Sequence, residues 1–261
     1  MVNTYTSYRM IAADLTKSID RVRNQPMVQR ETEYYLENIT KVKSIDDFMA
    51  DDRLFRYAMK AHGLEDMAYA KAFMVKALEG GIDDKDSFAN KLTDKRYADF
   101  VETFNFVRYG EATTAFTRAQ QGTVDKYLRQ TLEEDAGKQN EGGRLALNFA
   151  RNAADINSPY DILANTAYAK VVRTVLGLPD SFATADIDKQ AAMIEDRIDL
   201  EDFKDAEKLD KFLSRFTTMW EIQNPSSTGS PSIAALFSQP VEYGISSDLM
   251  LTLQRLKLGG N

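Results

Sequence analysis

The chain has 261 residues, a formal net charge of −7 and 43% hydrophobic residues. That hydrophobic content is enough for a real core and argues against global disorder. An acidic surface repels phosphate backbones and anionic lipid, so general binding to nucleic acid or to a membrane surface is disfavoured. No stretch approaches the roughly 20 apolar residues that a membrane helix needs, so membrane insertion is not expected.

The N-terminal residues and the cysteine count bear on secretion and on thiol chemistry. The first 22 residues have neither the apolar stretch nor the small-residue cleavage site of a secretion signal, so no cleaved signal is expected. The chain has no cysteine, which excludes disulfides, thiolate catalysis and thiolate metal sites. A chain without thiols also suits passage across a membrane in an unfolded state.

Taken in chain order, apolar residues at a helical period predict an all-α fold, because strand-like alternation is nowhere sustained. A first helix is expected to stop before Pro26, and Gly80-Gly81 is expected to end the fourth. The six helices of the first half are predicted at about residues 6–23, 28–41, 45–62, 66–78, 85–92 and 95–108. A long helix at about residues 123–134 is predicted to lead into the second half.

The sequence also matches itself at a shift of 114 residues. The register holds without a gap from residue 30 to residue 66, and the changes between the identities are largely conservative, as at Tyr35/Phe149 and Val42/Ile156. The identical pairs are Arg30/Arg144, Asn38/Asn152, Ser44/Ser158, Asp47/Asp161, Ala50/Ala164, Gly63/Gly177, Leu64/Leu178 and Asp66/Asp180. A longer loop at residues 181–186 then moves the offset to 115. We therefore predict two tandem copies of one multi-helix module, with additional N- and C-terminal helices.

The matched positions predict structure and not chemistry. Ser44 and Ser158 precede helical segments, and an aspartate follows each of them by three residues, as in a capping box. Gly63 and Gly177 are expected to end helices in the left-handed conformation.

The predicted organisation has five parts. They are an N-terminal heptad helix (1–26), repeat 1 (27–110), a connecting segment with a helix (111–142), repeat 2 (143–223), and a flexible linker with a C-terminal helix (224–261). Both terminal helices show apolar residues at heptad spacing, which form a candidate partner-contact seam. Its residues are Tyr8, Ala12, Leu15, Ile19, Val22, Leu249, Leu253 and Leu256. The seams are expected to pair with each other or with a partner, or to pack on the body.

Candidate catalytic and metal-binding patterns do not assemble into a site. His62 is the only histidine, and a cation there suits the end of a helix. The cluster Asp83, Asp84, Asp86 lacks the glycine and glutamate of a calcium loop, so carboxylates at a helix start explain it better. The glycine doublets fit no nucleotide motif. The acidic run 133–135 is interpreted as solvated surface. No catalytic residue, cofactor or metal is predicted, and a polar pocket between the copies would be needed to revive an enzyme hypothesis.

The segment SIDDFMADDRLFRYAMKAHGLEDM, followed by KLTDKRYADFVETFNF, resembles an uncharacterised helical domain family encoded in alphaproteobacterial flagellar gene clusters. The resemblance covers most of residues 16–223 and brings no catalytic residue. The first copy fits the family pattern at Asp52, Leu54, Phe55, Tyr57, Ala58, Lys60, Ala61, Gly63 and Leu64. The second copy keeps mainly Tyr168, Leu176, Gly177 and Leu178.

The resemblance implies a non-enzymatic structural or assembly protein of the flagellum. Such a protein would leave through the flagellar type III apparatus without a cleaved signal and would contact other flagellar proteins, or itself, through terminal helices. The alternative is a cytoplasmic export chaperone or assembly factor that binds flagellar subunits.

Overall fold

A computed structural model describes residues 3–224, which form one compact unit. Within that range the regular elements are helices, as the all-α prediction requires. The first half holds α1 (Thr4–Ala13), α2 (Leu15–Arg23), α3 (Pro26–Ile39), α4 (Ile45–Ala50), α5 (Asp52–Ala61), α6 (Lys71–Gly80), α7 (Phe88–Lys91), α8 (Arg96–Thr103) and α9 (Phe106–Tyr109). The long α10 (Gln121–Gln139) leads to α11 (Glu141–Asn152), α12 (Pro159–Ala164), α13 (Thr166–Leu176), α14 (Ile187–Arg197) and α15 (Ala206–Gln223).

Two predicted helices are each divided by an aspartate. The helix expected at residues 6–23 breaks at Asp14, whose side chain accepts the Lys17 N–H and caps α2. The helix expected at residues 45–62 breaks at Asp51, whose carboxylate accepts two N–H groups at the start of α5. An aspartate side chain can accept hydrogen bonds from nearby backbone N–H groups and so start a new helix. The predictions used only the spacing of apolar residues, which continues across both breaks.

The helix ends that the sequence marks are present in both halves. Ser44 caps α4, and Ser158 caps α12 in a complete capping box with Asp161. Gly63 and Gly177 follow α5 and α13 with φ of 68° and 66°. The fourth helix, expected from residue 66, begins at Lys71 because a 3₁₀ turn at Glu65–Met67 comes first. It ends at Gly80-Gly81, as predicted.

Two hydrophobic cores lie on either side of α10. The first core draws on α2 to α10 and is rich in fully buried aromatic rings, including Tyr35, Phe48, Phe55, Phe100 and Phe104. The second core draws on α1 and on α10 to α15, and two of its aromatic rings, Phe149 and Phe216, are fully buried. Its main aromatic members are Tyr8, Phe149, Phe203, Phe216 and Trp220. The N-terminal helices are therefore shared: α1 packs on α11 and α15, and α2 packs on α10.

Candidate functional site

Polar side chains between α10 and its neighbours form a layer inside the body. Glu133 is only 1% exposed; its carboxylate accepts a hydrogen bond from Arg129 Nε at 3.1 Å and forms an ion pair with Arg151 Nη2, also at 3.1 Å. Asn148 Nδ2 donates to the same carboxylate at 3.1 Å. A buried charge is tolerated when it is paired and hydrogen-bonded in this way. The interpretation of residues 133–135 as solvated surface is therefore wrong for Glu133, which faces α11.

His62 extends this layer toward the first core. Its ring is buried, and Nδ1 lies 2.8 Å from Asp99 Oδ2, which also accepts a hydrogen bond from Lys126 Nζ at 2.5 Å. Burial lowers the pKa of His62 although Asp99 opposes the shift. Burial would raise the pKa of Asp99, but the contacts with His62 and Lys126 lower it.

At neutral pH, His62 is therefore a neutral ring whose Nδ1–H donates to Asp99. The ring stands edge-on to Phe100 at 5.2 Å between centroids. The expectation of a cation at the end of α5 is wrong for this reason: the side chain turns into the core, where a charged imidazole is poorly solvated.

These polar groups bind one another, so the layer joins helices. It ties α10 to α5, α8 and α11. Two surface clefts are also present, of about 590 Å³ and about 190 Å³. Residues 34–54 line the larger, and residues 170–224 line the smaller. Each cleft thus belongs to one half of the molecule.

The acidic cluster at Asp83, Asp84 and Asp86 forms a turn before α7. The Asp83 carboxylate pairs with Arg108, and the Asp84 side chain accepts the Asp86 N–H. Nowhere in residues 3–224 do three or more histidine and carboxylate side chains come close enough to hold a metal ion. Within the same range, no helix is long and apolar enough to cross a membrane.

The N-terminal part of the candidate seam packs mainly on the body. Tyr8 is 5% exposed in the second core, and Val22 is buried in the first. Leu15 and Ile19 are half-buried against the first core, whereas Ala12 is exposed. These four packed positions show that α1 and α2 pack on the body; pairing with the C-terminal seam or with a partner stays a prediction. Leu249, Leu253 and Leu256 lie outside the described residues. The predicted linker from residue 225 onward lies outside them too.

The sequence analysis gave no role to Gly142, which lets α1 approach α11 and α15. A Cβ placed there would lie 2.4 Å from Trp220 Cδ1 and 2.6 Å from Thr4 Cγ2. Thr4 donates from its N–H (2.9 Å) and its hydroxyl (2.6 Å) to Glu221 Oε2. The doublet Gly142-Gly143 fits no known motif, so the sequence offered only the general rule that glycine marks a close backbone approach.

Within residues 3–224 the geometry defines an all-helical body with an internal layer of polar side chains that joins helices. The chain belongs to the family described as protein of unknown function (DUF1217), whose model matches residues 61–209. The prediction of an uncharacterised helical family is thereby confirmed. The chain is also similar to a protein of Agrobacterium tumefaciens known from an X-ray structure by the Northeast Structural Genomics Consortium. The two are 56% identical over 85% of this chain and 94% of that one, with a TM-score of 0.80. No curated protein matches.

Proposed function

We propose that this protein is a non-enzymatic structural or assembly component of the flagellum, exported without a cleaved signal and acting through helix–helix contacts. The resemblance to domains encoded in flagellar gene clusters supports the flagellar context. Membership of a family of unknown function leaves that assignment open to experiment.

The observation on which the proposal rests is that the first and last described helices lie side by side. Thr4 near the start of α1 is hydrogen-bonded to Glu221 in the last turn of α15. Arg9 and Asp210 pair across the same two helices at 2.5 Å. The resemblance suggests a flagellar axial protein. Proteins of that class pair helices from their two chain ends. The pairing of α1 with α15 brings the N-terminal helix beside the helix after which residues 225–261 follow, an arrangement that suits this plan.

A second candidate, the cytoplasmic export chaperone or assembly factor, is favoured by a different observation. Tyr8 and Val22 are buried in the two cores, so the N-terminal helices are part of the folded body. A body that uses its N-terminal seam internally suits a protein that stays folded in the cytoplasm and binds subunits through its outer surface.

Protein localisation separates the two candidates. The full chain, carrying an epitope tag inserted in an exposed turn, would be followed in culture supernatant, flagellar fraction and cytosol of motile cells. A strain with a disrupted flagellar export apparatus is the control. The axial proposal expects the chain outside the cell only when export works. Retention in the cytosol of motile cells would contradict it and favour the chaperone.

Deletion of the gene tests the flagellar context itself. We expect loss of swimming, with hooks or filaments missing when the cells are imaged. Loss of swimming with intact flagella would place the protein in motor function instead. Normal swimming would remove the support for a flagellar role.

We also infer that the two halves of the body derive from one duplicated module. Matched residues do the same local work: Asn38 and Asn152 each donate to the carbonyl four residues earlier, at 2.8 and 2.7 Å. Asp51 and Asn165, also 114 residues apart, cap α5 and α13 through their side chains. A search for the same 114-residue internal match across family members tests this inference, which fails if the match is confined to this chain.

A further inference from the structure

The segment at residues 110–120, between α9 and α10, holds a 3₁₀ helix (Gly110–Ala115) and a turn, and it is firmly anchored. Thr114 Oγ1 donates to the Val42 carbonyl at 2.9 Å, and Tyr35 Oη donates to the Ala119 carbonyl at 2.6 Å. Both hydrogen bonds are buried. Since its backbone is tied to the first core on both sides, the segment can present side chains in a fixed arrangement.

Four side chains at this segment form what we call the arginine–tyrosine face: Arg108, Tyr109, Phe116 and Arg118. The rings of Tyr109 and Phe116 meet edge to face at 4.9 Å. The guanidinium carbon of Arg118 lies 4.6 Å from the Tyr109 centroid and 5.2 Å from the Phe116 centroid. Phe116 is 40% exposed, so an aromatic surface with stacked arginine is open to contact.

The charge of this face is only partly compensated. Arg108 pairs with Asp83, whereas Arg118 forms no ion pair with any carboxylate of residues 3–224. Hydrogen bonds from Arg108 and Arg118 lower the pKa of Tyr109, so the potential at its hydroxyl favours negative charge.

We propose that the arginine–tyrosine face binds an acidic segment of a partner protein, with a carboxylate on the Arg118 guanidinium and an apolar side chain against Phe116. A guanidinium matches a carboxylate with two parallel hydrogen bonds. Tyrosine and arginine are also the residues that dominate binding at protein interfaces. The apolar Phe116 ring beside the cation favours a peptide, which can place an apolar side chain next to its carboxylate, over a phosphate backbone.

A synthetic peptide serves as the probe. A fluorescein-labelled peptide of alternating glutamate and leucine blocks would be titrated with the full chain at low salt, and anisotropy would be measured. We expect Arg118→Ala to weaken binding at least about tenfold, the usual effect of losing a charged hydrogen bond. Arg118→Lys keeps the charge but not the two parallel hydrogen bonds. Its affinity for the peptide should therefore lie between those of the native chain and Arg118→Ala. The same peptide with glutamine in place of glutamate should also bind at least tenfold more weakly.

Arg197→Ala is the matched control, because it removes the same charge from an exposed position in the last turn of α14. It should change the affinity less than twofold. Equal losses in Arg197→Ala and Arg118→Ala would show diffuse attraction and overturn the proposal, as would failure of the native chain to bind. Tighter binding of anionic vesicles or single-stranded DNA than of the peptide, lost in Arg118→Ala, would also overturn it. Circular dichroism of each variant checks folding, and the glutamine peptide tests the native chain directly. None of these outcomes depends on the flagellar assignment.

Discussion

The two halves of this protein share helix caps and turn glycines at matched positions, but some matched positions in their cores hold different side chains. Phe48 in the first core and Ile162 in the second are matched positions, and both are fully buried. Phe48 lies 4.7 Å from the Phe104 ring and 5.9 Å from the Phe55 ring, whereas Ile162 brings an aliphatic side chain to the second core. Caps and turn glycines set the path of the chain in both halves. The side chains that fill the space between helices can then diverge.

The same comparison holds for polar contacts in the cores. Tyr35 hydrogen-bonds the Ala119 carbonyl from inside the first core, and its match Phe149 has no hydroxyl with which to do so. His62 is held by Asp99, and its match is Leu176, an apolar residue. The first core thus fixes its helices by rings and buried hydrogen bonds. The second core also has paired rings, such as Phe149 and Phe203 at 5.1 Å, and Tyr8 of α1 completes it.

The largest expected effect comes from truncating the matched core residues. Phe48→Ala should cost about 3–5 kcal/mol of unfolding free energy, and Ile162→Ala about 2–5 kcal/mol, because each leaves a cavity that its neighbours fill only in part. Urea unfolding of the full chain, followed by circular dichroism, measures both.

Both variants should shift one common transition, since residues 3–224 form one compact unit. Ile162→Val is the mild control, with an expected cost of about 0.5–1.5 kcal/mol. If either alanine variant unfolds in two separated steps, the halves are independent and α10 does not couple them.

Gly142→Ala tests how far the second core depends on α1. The new methyl group would meet Trp220 and Thr4 below 3 Å, so we expect a cost of about 1–3 kcal/mol from overpacking. Trp220 is the only tryptophan, so its fluorescence should shift to the red as α1 and α15 separate.

Gly80→Ala is the control for that experiment. A Cβ at Gly80 would lie 3.6 Å from its nearest neighbour, an ordinary contact. It should change the stability by less than about 1 kcal/mol and leave the fluorescence unchanged. A Gly142→Ala variant with native stability and emission would mean that α1 is loosely held.

The helical class and the helix ends marked by serine caps and turn glycines could be predicted from sequence because they depend on local rules. Ser158 and Gly177 act on backbone groups within a few residues of themselves. The burial of Glu133 and the tight approach at Gly142 could not be predicted this way. Both depend on which helix lies opposite, which a helical period does not specify. The heptad spacing across α1 and α2 does not specify what covers it, because packing on the body and packing on another chain use the same residues.

His62 is expected to make stability depend on pH. Its unfolded pKa is near 6.5 and its folded pKa is lower, so between these values the unfolded chain binds more protons and stability falls as pH decreases. The slope from one group is at most about 1.4 kcal/mol per pH unit. The lowered pKa of Asp99 acts in the same direction, but only below about pH 4.

Urea midpoints at pH 7, 6 and 5 measure this dependence. His62→Leu copies the residue at the matched position Leu176 and should flatten the curve, since the chain has no other histidine. Asp99 keeps Lys126 as a partner in this variant. An unchanged slope would mean that His62 titrates alike in the folded and unfolded chains.

The smallest expected effect comes from the two matched turn glycines. Gly63→Ala and Gly177→Ala should each cost about 1–2 kcal/mol, because a Cβ is strained at these positive φ angles. Packing adds little: the nearest atom to a Cβ at Gly63 is 3.6 Å away, and none lies within 4 Å at Gly177. Asparagine, which tolerates this conformation better, should recover part of the loss at both sites. Equal costs in urea unfolding would support equivalent turns in the two halves. If one substitution cost several times the other, the turns would not be equivalent, and the inference of a duplicated module would lose its clearest structural parallel.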